Sequence, residues 1–126
     1  MPLGLASLDT LVAHHAQAGL EVTVRSSGDR RPLAHNADQA AYRILQEALT
    51  NAARHGVGVA EIELDFRDVV LELTVTNPVV HGVQLRSAGG HGLIGMRERA
   101  MLLGGTLEAH EENGAFRVLA RIPYGG

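Results

Sequence analysis

Glu47 and Asn51 stand one helical turn apart in the stretch AYRILQEALTNAARHG, residues 41–56, and belong to a polar set that continues through Arg43 and Arg54 or His55. Side chains four apart point the same way, so a carboxylate and a carboxamide share one face. Such a stripe is most often a solvated face, but Asn is a poor helix former that competes for backbone hydrogen bonds, so its place beside Glu47 in mid-helix asks for a reason, and a ligand is one. Two further features carry chemistry: Asn77 at a strand end, and Gly90-x-Gly92-x-x-Gly95 ahead of an apolar periodic run. Glycines leading into a helix leave backbone amides free at its positive end, where a phosphate chain can lie. No G-x-x-x-x-G-K-[ST] string is present and every one of the 11 basic residues is Arg, so any nucleotide is held without a P-loop lysine.

The elements that must position these residues read as follows. Ala41, Ile44, Leu45, Ala48, Leu49 and Ala52 recur at three-and-four spacing and make the opposite face of the same helix a core face. Asn36 with Gln39 has the form of a capping box, and Gly56 and Gly58 close the helix. Ahead of it, residues 3–19 have helix-like spacing and read as the end of a connecting helix with surface histidines at His14 and His15, and LEVTVR at 20–25 alternates as a strand. Residues 59–67 and 69–76 form a hairpin with one wet face, Asn77-Pro78 ends its second strand, and 93–103 is helical, with a second hairpin from 106–111 and 116–122. Between them, 77–92 is a long glycine-rich connection, a length that in a compact domain usually serves function. The expectation is an α+β protein, a two-layer sandwich whose mixed, mostly antiparallel sheet is covered on one face by helices.

At 126 residues the chain fits one domain. Its 45% hydrophobic and 20% charged residues suit a soluble globular protein, with no apolar run near the roughly 20 residues that span a bilayer. A net charge of −3 argues against a general nucleic-acid binder, and the absence of Cys excludes disulfides and fits a reducing compartment. None of the seven His pair at metal-ligand spacing.

The strings YRILQEALTNAARHG, GGHGLIGMRERAMLLGGTLE and FRVLARIP together resemble the GHKL ATPases of the Bergerat fold, and within them the catalytic domains of sensor histidine kinases of the nitrate/nitrite-sensor class. The resemblance covers residues 19–123 and divides the chain into 1–19, the connecting-helix end, and 20–126, the ATP-binding catalytic domain. It implies that Asn51 coordinates the Mg²⁺ bridging the phosphates of ATP and that Glu47 polarises the accepting histidine or orients a nucleophile. Arg54 and His55 would lie near phosphates or ribose, and Asn77 near the base. Residues 78–90 would form the ATP lid, with Gly90, His91, Gly92, Leu93 and Gly95 around the phosphates. The implied activity is donation of the γ-phosphoryl group of ATP to a histidine on a separate dimerisation domain, for onward transfer to a response regulator. The setting implied is cytoplasmic, with full-length relatives often membrane-anchored.

Two departures stand out. Asn77-Pro78 replaces the family's D-x-G-x-G, giving an uncharged acceptor for the adenine amino group, and Phe116 stands where relatives place a threonine. No histidine has the context of a phosphoacceptor, so this chain is not expected to autophosphorylate alone. Two rival readings remain: an anti-sigma-factor-type serine kinase, which shares E-A-x-x-N-A-x-x-H-G, and a pseudo-kinase interaction module with weak nucleotide binding. A serine substrate would mark the first, and failure to bind millimolar Mg·ATP the second.

Overall fold

Alternation writes the central strands, with Thr74 as the one buried residue out of phase. In a computed structural model, which describes residues 4–79 and 85–125 apart from the side chains within 85–92, β2 (Val59–Phe66) buries Ala60, Ile62, Leu64 and Phe66. β3 (Val70–Pro78) buries Leu71, Leu73, Val75 and Asn77, and β5 (Ala115–Pro123) buries Phe116, Val118, Ala120 and Ile122. With β1 (Glu21–Gly28) and β4 (Thr106–Glu112) these make a five-stranded sheet in the order β1-β2-β3-β5-β4. β1 runs parallel to β2 and the other pairs are antiparallel, so the fold is α+β with a mixed sheet, as the periodicity implied.

The helices cover one face. α2 (His35–His55) lays Ala41, Ile44, Leu45, Ala48, Leu49 and Ala52 on the sheet; Ile44, Leu45 and Leu49 are wholly buried, each worth about 1.5–3 kcal/mol of transfer free energy. α1 (Leu8–Gln17), preceded by a 3-10 turn at Leu5–Ser7, sends Leu5, Leu8 and Leu11 into the same core. α3 (Leu85–Leu102) adds Met96 and Ala100.

Topology fixes which ends meet. α2 starts where β5 finishes, the Ala34 N–H donating to the Tyr124 carbonyl at 2.7 Å, and stops where β3 finishes, with Gly56 bridging Val79. α3 follows β3 and returns to the start of β4, whose Thr106 pairs with Arg121 near the end of β5. The two helices are therefore antiparallel, and the C-terminal half of α2 lies at the same end of the molecule as the N-terminal half of α3.

Four local expectations need correction. α2 begins at His35 behind Ala34, with no side-chain cap, because the backbone pairing of Ala34 with Tyr124 fixes the start in place of an Asn36 capping box. β1 continues through Ser26 and Ser27 to Gly28, since its parallel ladder with β2 holds residues whose own composition reads as a turn. The second hairpin turns on two residues only, Asn113 and Gly114, both at positive φ (52° and 77°), the geometry that suits strand twist. Finally, α3 starts at Leu85 rather than near position 93 and runs through Gly89, Gly90, Gly92 and Gly95. Each of these glycines costs the helix about 1 kcal/mol relative to alanine, and the buried Met96 and Ala100 anchor its second half in the core.

Candidate functional site at the shared end of the two long helices

Glu47 and Asn51 are both half-buried on α2, one turn apart, beside the fully buried Ala48 and Ala52 that anchor the helix. Thr50 returns its hydroxyl to the Gln46 carbonyl at 2.9 Å, and Arg43 bonds Gln46 at 3.1 Å, not Glu47. The polar stripe of the sequence is thus a real face with its carboxylate left out of the Arg43 bond. At the end of the helix Arg54 is exposed, while His55 is half-buried with its Nε2 enclosed and without a hydrogen-bond partner among the described residues. An enclosed ring nitrogen without a partner is costly in a settled core and is common where a ligand or water completes the site.

Beside this helix end, Asn77 is only 3% exposed. Its Nδ2 donates to the Pro78 carbonyl at 3.2 Å. Gly56 comes so close that a Cβ there would lie 2.6 Å from the Ala52 carbonyl and 2.8 Å from Asn77 Nδ2. That approach is a feature the periodicity did not reveal. Across the ladder Asn77 pairs with Phe116, both pointing to the helix side. Val79 N–H reaches the Gly114 carbonyl at 2.9 Å and brings the second hairpin's turn to the same corner.

The glycine segment lies at this end too, with a different local geometry from the one expected. Gly90, His91 and Gly92 are inside α3, whose first turn is at 85–88, so they do not head the helix. The side chain of His91 and positions 80–84 of the expected lid lie outside the described residues. Leu93 is half-buried against the core, and a Cβ on Gly95 would meet nothing within 4 Å among the described residues, so crowding does not explain that glycine. Glu47, Asn51 and His55 therefore lie on the C-terminal half of α2, whose end is seated on Asn77 through Gly56, and Arg54 borders them; Leu93 and Gly95 lie near the middle of α3. Among the described residues, no group of three or more His, Asp or Glu is placed to hold a metal on its own. The donors available are a carboxamide oxygen at Asn51 and a carboxylate at Glu47, hard oxygen ligands that suit Mg²⁺ when a substrate's phosphates supply the rest.

The fold recurs in solved structures. The Acinetobacter baumannii histidine kinase AdeS superposes with a TM-score of 0.75 and 13% identity over 98% of this chain and 66% of its own. The blue-light activated histidine kinase EL346 of Erythrobacter litoralis gives 0.74 and 20% identity over 98% of this chain and 42% of its own. The catalytic domain of the histidine kinase ThkA gives 0.68 and 14% over 94% of this chain and 93% of its own. Identities this low establish the fold alone: that of histidine kinase catalytic domains. In sequence, the sensor histidine kinase YxjM of Bacillus subtilis is 33% identical over 110 residues, which is 83% of this chain; the chain spans 26% of that relative's length. No family profile matches the chain.

Proposed function

We propose that this chain is the ATP-binding catalytic domain of a two-component sensor histidine kinase, of the nitrate/nitrite-sensor class by its motifs. The observation that supports the reading is that Glu47 and Asn51 stand half-buried on one face of α2, whose end carries the half-buried His55 and is seated through Gly56 on the nearly buried Asn77, in a chain similar to a sensor histidine kinase. ATP supplies the phosphoryl group. Asn51 would hold Mg²⁺ through its carboxamide oxygen, and Glu47 would accept the proton from the incoming imidazole or orient it, which is the positioning and charge placement that phosphoryl transfer demands. The Asn77 Oδ1 would accept a hydrogen bond from the adenine amino group, with Phe116 beside it as an apolar wall. Arg54 would meet phosphates at the rim.

Phosphate contacts through the backbone of Gly90, Gly92, Leu93 and Gly95, with His91 nearby, require the first half of α3 to open. Its glycines make that opening cheap, about 1 kcal/mol each relative to alanine. The acceptor histidine would come from a dimerisation domain elsewhere in the same protein, and the phosphate would pass to a response regulator in the cytoplasm. No helix among the described residues is long and apolar enough to cross a membrane. Calorimetric titration with Mg·ATP tests the reading, and transfer of labelled phosphate to a histidine-bearing helical domain supplied in trans tests the chemistry. No binding at millimolar nucleotide favours the interaction module instead.

A further inference from the structure

β1 is the outermost strand of the sheet, and among the described residues its second edge is unpaired. Such edges are normally blunted by proline, a bulge or a run of like charge. β1 has none of these: its eight residues pair with β2 without interruption, and its charged residues are one Glu at its first position and one Arg at its fifth.

The backbone parity of this edge follows from one bond. Glu21 N–H donates to the Gly58 carbonyl at 2.8 Å, so Glu21, Thr23 and Arg25 turn their backbone groups toward β2. In a parallel ladder the intervening residues then turn theirs away, which leaves Val22 and Val24 presenting N–H and C=O at the open edge. An antiparallel two-fold partner must place outward residues opposite outward residues. Centred on Thr23, the segment Glu21-Val22-Thr23-Val24-Arg25 meets itself with Val22 opposite the second copy's Val24 as a hydrogen-bonded pair, and Glu21 opposite its Arg25 as a close, non-bonded pair. Shifting the centre by one residue takes both charges off their partners, and shifting it by two sets Arg25 on Arg25 or Glu21 on Glu21. Val24, 39% exposed on the helix side, would be covered. Arg25 is free to serve: its approach to Glu61 is 4.0 Å between largely exposed side chains, a contact worth little. The seam stops beyond these residues because Leu20 N–H is already given to the His15 carbonyl.

We propose that the open edge of β1 is a homodimer surface, in which a second copy of this chain adds antiparallel through Glu21–Arg25 about a two-fold axis at Thr23. Isologous pairing of one patch with itself is the commonest route to a dimer. The seam is short and far below a standard interface in area, so the expected dissociation constant is on the order of 100 μM. Sedimentation equilibrium of the chain from about 10 μM to 1 mM decides it. The mean mass should rise from 13.4 kDa toward twice that value. Glu21→Arg and Arg25→Glu should each weaken association about tenfold, and the exchange carrying both should return it to within about threefold of the parent. Val24→Pro removes an outward N–H without touching the ladder to β2 and should abolish association. A parent that stays monomeric throughout, or a double exchange no tighter than either single change, overturns the proposal.

Discussion

Gly56 and Asn77 are packed so closely that the missing Cβ of the glycine would lie 2.8 Å from the carboxamide nitrogen. The end of α2 is thereby seated on the end of β3, next to the Gly56–Val79 bridge. Gly56→Ala should cost about 1–3 kcal/mol, because the added methyl also meets the Ala52 carbonyl at 2.6 Å and both neighbours must move. The midpoint of urea unfolding checks this, and an unchanged midpoint would mean that the corner is slack.

Asn77→Asp removes the N–H that reaches the Pro78 carbonyl and buries a carboxylate. The variant should be less stable than the parent by about 1–3 kcal/mol at pH 7. Burial raises a carboxyl pKa, so the folded value lies above the unfolded one. Stability is then intact below pH about 3.9 and is lost as pH rises through the folded value. The gap between variant and parent should narrow in acid, and melting curves at pH 4 and pH 7 measure it.

Tyr124 gives a second pH handle. Burial pushes its phenol above the ordinary 10.0; the nearby Arg31 guanidinium pulls the other way, and Asp65 and Asp68 add to the rise. The hydroxyl donates to the Arg67 carbonyl at 2.7 Å, and Arg31 sits 4.3 Å from the ring centre. Because the folded value is the higher one, the stability contributed is complete below pH 10 and is lost as pH rises through the raised value. Tyr124→Phe should flatten the melting-temperature profile above about pH 10, at a cost of about 1 kcal/mol below it.

The glycines of α3 make opposite demands on stability and binding. Gly90→Ala with Gly92→Ala should stabilise the helix by about 1 kcal/mol per site and weaken nucleotide binding by about tenfold or more. Thermal unfolding and Mg·ATP titration on the same variant separate the two effects. Equal affinity in variant and parent would show that 85–92 stays helical with nucleotide bound.

Much of this was legible in the chain. The core stripe of α2 and the alternation of Ile62-Leu64-Phe66 and Val118-Ala120-Ile122 state which faces are buried, because period and burial are the same information. The polar stripe of Glu47 and Asn51 was equally plain. What stayed hidden depends on partners distant in sequence. Ser26 and Ser27 are strand only because β2 pairs with them, and Ala34 starts a helix only because Tyr124 receives its N–H. The close seat of Asn77 against Gly56 is a tertiary contact with no local signature. The start of α3 was missed because glycine reads as a breaker where the formed helix overrides it.

The most direct measurement of the central claim is calorimetric titration of the parent and Asn51→Ala with ATP, each with Mg²⁺ and with EDTA. The parent should show saturable Mg²⁺-dependent binding and the variant a loss of about a hundredfold or more, about 2.7 kcal/mol, with the melting temperature nearly unchanged. Binding of Mg·ATP by Asn51→Ala as tight as by the parent would contradict it.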